Sequence, residues 1–188
     1  MPKTVDINRI HRAALHVFVE RGYDAATTKE IAERAGVNEA TLYRRYNTKA
    51  ELVRTALAHQ LANSPFGHLS ESDDVRADMA MIVKAYIETF ETFGAVVMAL
   101  MNEANQHAEL QSATSALLPN LQKAAAIIAH HQAAGQITSG NPVVKLLTLI
   151  APIAMLGMAS LPMRGLVGAI RDLDPLQIAT DFLNGHST

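Results

Sequence analysis

The chain has 188 residues, of which 49% are hydrophobic and 5% aromatic, so it can bury one large or two small cores of mainly helical type. It contains no cysteine, which excludes disulfides, thiolate zinc sites and thiol catalysis. The formal net charge of −2 is unevenly divided: residues 1–54 have ten Lys and Arg against seven Asp and Glu, a net of +3, and the remainder has six against eleven, a net of −5. A basic amino-terminal part suits a module that faces phosphates.

The first predicted helix is defined by apolar residues that recur at steps of three and four positions. Asp6 stands where it can cap or charge the first turn, and Gly22 ends the helix. The stripe that we expect to face a core consists of Ile10, Ala14, Val17 and Phe18.

The next stretch, residues 27–46, predicts two short helices joined by a tight turn. Thr27 and Glu30 form a capping box that begins the first of these helices. Gly36 ends it, because glycine accepts the left-handed conformation that a helix end often needs.

The second short helix predicts a surface that reads DNA. It is capped by Asn38 and runs from Glu39 to about Tyr46, with Leu42 and Tyr46 as its obvious core residues. Its other positions are small, hydroxylated or basic, so the backbone can approach base edges and the side chains can read the major groove. These positions are Ala40, Thr41, Tyr43, Arg44 and Arg45.

The rest of the chain predicts a larger helical domain. A second capping box, Thr48 with Glu51, begins a fourth helix that continues to Leu61. Residues 63–74 form the clearest break, and we divide the chain into domains 1–54 and 55–188. Further helices are predicted over residues 75–93, 96–105, 112–131, 142–160 and 174–185, with Gly94 as an interruption and residues 161–172 as an irregular segment.

An uncharged run at residues 146–163 has two interpretations. Its 18 residues are close to the shortest length that can span a membrane, for which roughly 20 residues are typical. Pro152, Gly157 and Pro162 weaken that interpretation, and a helix that is apolar all round is also typical of a buried subunit interface. We therefore expect an interface and no membrane association.

Neither a metal site nor an enzyme is predicted. His107, His130 and His131 could suggest metal binding, but the adjacent pair points to different sides of a helix and no HExxH motif is present. We expect surface or capping histidines, no cofactor, and no catalysis, because no nucleophile elbow or phosphate-binding glycine loop occurs. The first residues lack an apolar signal-peptide core, so we expect a cytoplasmic protein.

The run from Ile10 to Leu52 resembles the amino-terminal DNA-binding domain of the TetR family of bacterial transcriptional regulators. This resemblance covers about the first third of the chain, and the rest resembles the family only in length and in its helical, apolar character. The matching pieces are Ala13-Ala14, Val17-Phe18, Glu20-Arg21-Gly22-Tyr23, Thr27-Thr28, Ile31-Ala32, Ala35-Gly36-Val37, Thr41-Leu42-Tyr43, Tyr46, and Lys49 with Glu51-Leu52.

The resemblance implies an all-α fold, with an N-terminal three-helix helix-turn-helix DNA-binding domain followed by a larger helical ligand-binding and dimerisation domain. It implies a ligand-responsive repressor that binds a near-palindromic operator in double-stranded DNA as a dimer. Arg45 stands where the family often has His, and Asn47 where it often has Pro or Gly. The expected DNA-binding residues are Thr27, Thr28, Asn38, Glu39, Ala40, Thr41, Tyr43, Arg44, Arg45 and Lys49.

Within that set the resemblance assigns different roles. Thr28, Tyr43 and Lys49 match positions that hold phosphate or fix the recognition helix on the DNA backbone. Thr41 and Arg44 are expected in the groove, and Arg45 is expected at a phosphate. Asn38 and Glu39 stand at the start of the recognition helix, where members of the family vary to change sequence preference.

For the larger domain, the resemblance implies a homodimer through the last two helices, residues 142–160 and 174–185, and a pocket for a small apolar effector. Several methionines favour a deformable cavity, although ordinary core packing is the commoner role of any one of them. A regulator without a small-molecule effector, controlled by a protein partner, is the alternative. The candidate effector residues are Tyr86, Phe90, Met98, Met101 and His107.

Overall fold

The computed structural model describes residues 6–167 and 170–186, with the backbone alone for residues 159–167. The described residues form α-helices, 3-10 turns and loops and contain no β-strand, which confirms the predicted all-α fold. In chain order their helices are α1 (Ile7–Ala25), α2 (Thr28–Ala35), α3 (Glu39–Arg45), α4 (Lys49–Ala62), α5 (Val75–Ala104), α6 (Ala108–Gln111), α7 (Leu118–Ala133), α8 (Pro142–Val167) and α9 (Pro175–His186).

Contacts divide the described chain into two compact units. The first unit contains the residues up to Leu61 together with Ala95–Leu118. The second unit contains Ala62–Gly94 together with the residues from Pro119 onward. The division into domains 1–54 and 55–188 stays a prediction.

The first unit has the core that the apolar pattern predicts. The stripe on α1 is buried, and α2, α3 and α4 each contribute buried aliphatic residues to the same unit. Burial of such a side chain contributes about 1.5–3 kcal/mol, so this core orders the short helices α2 and α3, which would be marginal alone. The largest side chains buried here include Ile10, Phe18, Ile31, Leu42, Leu52 and Leu57.

Gly22 breaks α1 near its end, as predicted, although one more turn follows to Ala25. Its φ of 73° and ψ of 174° lie in a region that is essentially restricted to glycine. The break lets the Tyr23 N–H donate to the Glu103 carboxylate at 3.3 Å, and a Cβ at Gly22 would lie 2.9 Å from the same oxygen. Glycine is therefore required here by both conformation and space.

Helix α5 is continuous and contributes residues to both units, so the predicted interruption at Gly94 is wrong. Gly94 lies inside the helix, and its lack of a side chain leaves space for the Phe90 ring, since a Cβ there would lie 2.9 Å from that ring. The same ring also packs closely against Gly157 of α8. Glycine in this helix serves close packing rather than termination.

The predicted helix over residues 112–131 is also corrected. Residues Ser112–Leu117 form a 3-10 turn and α7 begins at Leu118, which puts Pro119 in its first turn, where proline is tolerated. The hydroxyl groups of Thr114 and Ser115 donate to carbonyls three residues back, at 2.7 and 2.6 Å, and such local bonds compete with α-helix.

Near the carboxyl end, α8 continues to Val167, beyond the predicted end at residue 160. The predicted irregular segment is therefore partly helical; residues 168 and 169 lie outside the described residues, and Ile170–Asp172 form a 3-10 turn. The prediction rested on the Gly and Arg content of residues 161–172, but glycine inside a helix costs only about 1 kcal/mol and need not end it.

His131 is fully buried, so the expectation of a surface or capping histidine is wrong for this residue. Its Nε2 lies 2.8 Å from the Asp78 carboxylate, and its Nδ1 lies 2.6 Å from Gln136 Oε1. The Gln136 amide nitrogen donates to the Asp73 carbonyl, which fixes Oε1 toward the ring. Both ring nitrogens therefore have an oxygen partner, Asp78 on one side and Gln136 on the other.

Candidate nucleic-acid interface

Local capping bonds set the positions of α2 and α3, although the predicted capping box is only half formed, since the Glu30 carboxylate pairs with Arg21 and Arg34. The Glu30 N–H donates to Thr27 Oγ1 at 3.1 Å, and the Ala40 N–H donates to Asn38 Oδ1 at 2.9 Å. Between the two helices, Gly36 has a φ of 66°. The turn is therefore encoded by residues within a few positions of it.

The exposed face of α3 carries the side chains predicted to meet DNA. Tyr43 is 58% exposed, Arg44 and Arg45 are exposed, and Thr41 is half-buried. Among the residues that the structure describes, neither arginine forms an ion pair. The Arg44 guanidinium is thus available to phosphate or to the acceptor edge of guanine, whereas the Arg45 guanidinium also hydrogen-bonds the Tyr46 hydroxyl.

Thr28 joins α2 to α3 through two oxygen partners. Its hydroxyl donates to Glu39 Oε1 at 2.6 Å and lies 3.1 Å from the Tyr43 hydroxyl. Since the Thr28 hydroxyl has one proton, which goes to the carboxylate, Tyr43 is the donor in the second contact. Three predicted site residues are therefore brought together in one hydrogen-bonded group.

Lys49 is engaged within the protein. Its ammonium donates to the Tyr23 carbonyl and, at 3.0 Å, to the Ala26 carbonyl, and it lies 4.1 Å from the centroid of the Tyr23 ring. These carbonyls stand at the end of α1, where a cation is favoured. Burial lowers the pKa of Lys49, and nearby carboxylates partly oppose this effect. Lys49 thus ties α4 to α1, and its contact with phosphate stays a prediction.

His11 is a positioning residue that the sequence analysis missed. Only 2% of it is exposed, and its Nε2 lies 2.9 Å from the hydroxyl of Tyr46. Tyr46 caps the end of α3, where its N–H donates to the Leu42 carbonyl at 2.7 Å. The spacing of three and four residues from His11 to Ala14 and Leu15 placed it on the buried face and could have revealed this role.

We expect His11 to make the free energy of unfolding decrease as the pH is lowered from about 6.5 to about 4. Burial, followed by the positive charges of His59 and Arg45, lowers the pKa of His11 to about 4 from its ordinary 6.5. The unfolded chain therefore takes up a proton in this window that the folded chain does not, so folding is fully supported above 6.5 and weakened below it. The loss by pH 4 amounts to roughly 3 kcal/mol.

Urea unfolding of the wild type and of His11→Leu at pH 7 and pH 4.5 measures this contribution. The variant should lose less stability than the wild type on acidification. His16→Leu, at an exposed position of the same helix, is the control and should follow the wild type. Equal acid sensitivity in His11→Leu and the wild type would contradict the assignment.

Other charges of the first unit are paired with each other. Arg34 lies 2.7 Å from Glu20 and 2.8 Å from Glu30, and Arg21 lies 3.5 Å from Glu30. The Arg34 pairings hold the pKa of the Glu20 carboxyl below its ordinary value. Part of the formal positive charge is therefore already neutralised away from α3.

The five candidate effector residues are divided between the two units. Tyr86 and Phe90 are half-buried in the second unit, where their ring centroids are 6.0 Å apart and burial raises the pKa of Tyr86. Met98, Met101 and His107 belong to the first unit; Met101 is 47% exposed, and His107 Nε2 lies 3.3 Å from a carboxylate four residues earlier. Their role at an effector stays a prediction.

An apolar surface runs along α8 and α9, the helices predicted to form a dimer. Helical spacing places its α8 members largely on one side of that helix. No helix among the described residues is long and apolar enough to cross a membrane, and no cluster of His, Asp and Glu there could hold a metal ion. The exposed apolar side chains, which we call the α8–α9 face, are Val143, Val144, Leu147, Met155, Met158 and Leu176.

Sequence comparisons give relatives for the amino-terminal part. Residues 10–56 match the family model described as bacterial regulatory proteins, tetR family. Over 83 residues the chain is 37% identical to the uncharacterized HTH-type transcriptional regulator YvkB of Bacillus subtilis, covering 44% of each. Over 82 residues it is 38% identical to the HTH-type transcriptional activator FasR of Mycolicibacterium smegmatis, covering 42% of this chain and 37% of that one. The match spans less than half the length of these relatives.

Structural comparisons extend over nearly the whole chain. The fatty acid degradation regulator FadR of Bacillus halodurans is similar with a TM-score of 0.78 and 18% identity, covering 96% of this chain and 99% of that one. FadR of Bacillus subtilis, solved in complex with stearoyl-CoA, is similar with a TM-score of 0.71 and 17% identity, covering 95% and 96%. At this identity the likeness establishes a shared fold.

Proposed function

The chain belongs, through its amino-terminal domain, to the TetR family of bacterial transcriptional regulators, and on this premise we propose that it binds a near-palindromic operator as a homodimer and represses transcription. The observation that carries the proposal is the exposed face of α3, where Arg44 and Arg45 stand beside Tyr43 without carboxylate partners among the described residues. Two such helices related by a two-fold axis would enter successive major grooves about 34 Å apart.

We further propose that a small, largely apolar effector releases the operator. The complex of the Bacillus subtilis FadR neighbour with stearoyl-CoA supports an apolar effector for this fold. Such a molecule must bind the released conformation better than the DNA-bound one, because equal affinity shifts nothing. An operator complex that no apolar compound dissociates, but that a protein from the same cell does, would favour control by a protein partner.

The central experiment is selection of duplexes from a random library by the purified protein at low salt. A palindromic consensus, protected by a dimer, is the expected result. Failure to retain any duplex would overturn the proposal.

Arg44→Ala and Arg45→Ala are expected to differ in kind. A base contact by Arg44 is worth about 1–3 kcal/mol, so its loss should weaken the selected operator and relax the preference at one position. Loss of a phosphate contact by Arg45 should weaken all duplexes alike and lower the slope of log affinity against log salt by about 0.9. Titrations of operator and scrambled duplex at several salt concentrations separate the two effects.

Arg171→Ala, at an exposed position of the second unit, is the matched control and should change neither affinity nor slope. If Arg44→Ala reduced binding of the scrambled duplex as much as that of the operator, its assignment to the groove would be wrong.

A further inference from the structure

Glu39 is the only carboxylate on α3, and it stands on the helix that the proposed function places against a polyanion. It is half-buried at the first position of the helix. Among the described residues no cation pairs with it, and its hydrogen-bond partner is the Thr28 hydroxyl, 2.6 Å from Oε1. Its second oxygen is left without a hydrogen bond to any described residue.

An ionised carboxylate accepts hydrogen bonds and donates none. Phosphate oxygens and the deoxyribose of DNA are acceptors, so they offer Glu39 only repulsion. In the major groove, the donors are the N4 amino group of cytosine and the N6 amino group of adenine. If Glu39 contacts a base edge, its carboxylate therefore finds a hydrogen-bond partner only in an amino group.

The neighbouring atoms on each base edge decide between these two donors. Adenine presents the acceptor N7 beside its amino group, and this lone pair would face the carboxylate. Cytosine presents only a C–H group beside N4. Guanine offers O6 and N7, and thymine offers O4, all of them acceptors.

We propose that Glu39 is a specificity-determining residue that selects cytosine at one position of each half-site. Thr28 is its positioning residue: the 2.6 Å hydrogen bond holds Oε1 and so restricts the direction in which Oε2 points. The proposal rests on the proposed function, because it names the base that the same surface reads.

The test is operator selection with the wild type, Glu39→Ala and Glu39→Gln. The wild type should prefer cytosine over guanine at one half-site position by about 5- to 150-fold. Glu39→Ala should bring the four bases close to equality there. Glu39→Gln, which keeps the size of the side chain and adds an amide donor, should move the preference to adenine, since Gln pairs with N6 and N7 together.

Thr28 provides a second readout that a merely structural role would not move. Thr28→Val keeps the shape and removes the hydroxyl, so cytosine should stay preferred while the discrimination falls severalfold. Thr28→Ser should restore the discrimination. Comparison of base ratios at that position, rather than total affinity, separates this effect from the loss of a phosphate contact.

Two outcomes would overturn the inference and are distinguishable. If the wild type binds a palindromic operator but both Glu39 variants select the same consensus with affinity changed uniformly, Glu39 has only a structural role. The proposed function then stands. If the wild type retains no duplex, the proposed function itself fails, and the inference fails with it.

Discussion

Replacing Met155 by glutamate is expected to split the homodimer and to lower operator affinity by at least about 100-fold. Met155 is 64% exposed and is the most exposed member of the α8–α9 face. In the proposed dimer this face is buried, and a carboxylate introduced on it from each subunit would be desolvated and unpaired. A single DNA-binding domain then binds one half-site, without the gain in affinity of about two to four orders of magnitude that two linked domains provide.

Light scattering after size exclusion measures the oligomer, and titration of the selected operator measures the binding. Leu118→Glu is a matched control, because Leu118 is 51% exposed in the first unit and lies outside the α8–α9 face. That variant should stay dimeric. A dimeric Met155→Glu protein with unchanged operator affinity would place the interface elsewhere.

Replacing Asp78 by alanine is expected to destabilise the protein by about 3–5 kcal/mol, because it leaves the buried His131 ring without its anionic partner. Burial alone would raise the pKa of Asp78, but hydrogen bonds from Ser72 and from His131 outweigh it and hold the pKa below the ordinary 3.8. The contribution of Asp78 is therefore fully present above pH 3.8 and is lost as the pH falls through the lower folded value.

Urea unfolding at pH 7 measures the loss, and a double variant tests its cause. Asp78→Leu with His131→Leu removes both polar groups, so it should be less destabilised than Asp78→Ala. Were the double variant worse than the sum of Asp78→Leu and His131→Leu made singly, the two side chains would not stabilise each other through this contact.

The helix-turn-helix could be predicted because its signals are local. Thr27, Gly36 and Asn38 each act within a few residues, so their roles are readable without knowledge of the fold. The exposed residues of α3 followed once Leu42 and Tyr46 were assigned to the core, and the structure buries both.

What escaped prediction depends on partners far away in the chain. His131 meets Asp78 across 53 residues, and Lys49 meets the end of α1 across 23 and more. Gly94 was predicted to interrupt the helix, whereas in the structure it allows close packing of the Phe90 ring. Sequence patterns report which residues are apolar or flexible, whereas these roles depend on which side chains come into contact in the folded structure.

The pairing of Arg34 with Glu20 and Glu30 has a kinetic consequence. With those charges paired, the attractive field of the DNA-binding domain originates from its exposed cations that form no ion pair with a described residue, namely Arg9, Arg12, Lys29, Arg44 and Arg45. At 0.1 M salt such a field is screened beyond about 10 Å, so long-range steering adds little to diffusional encounter. The association rate should therefore rise steeply as ionic strength is lowered, while at cellular salt the protein must find its site by many short, weakly guided collisions.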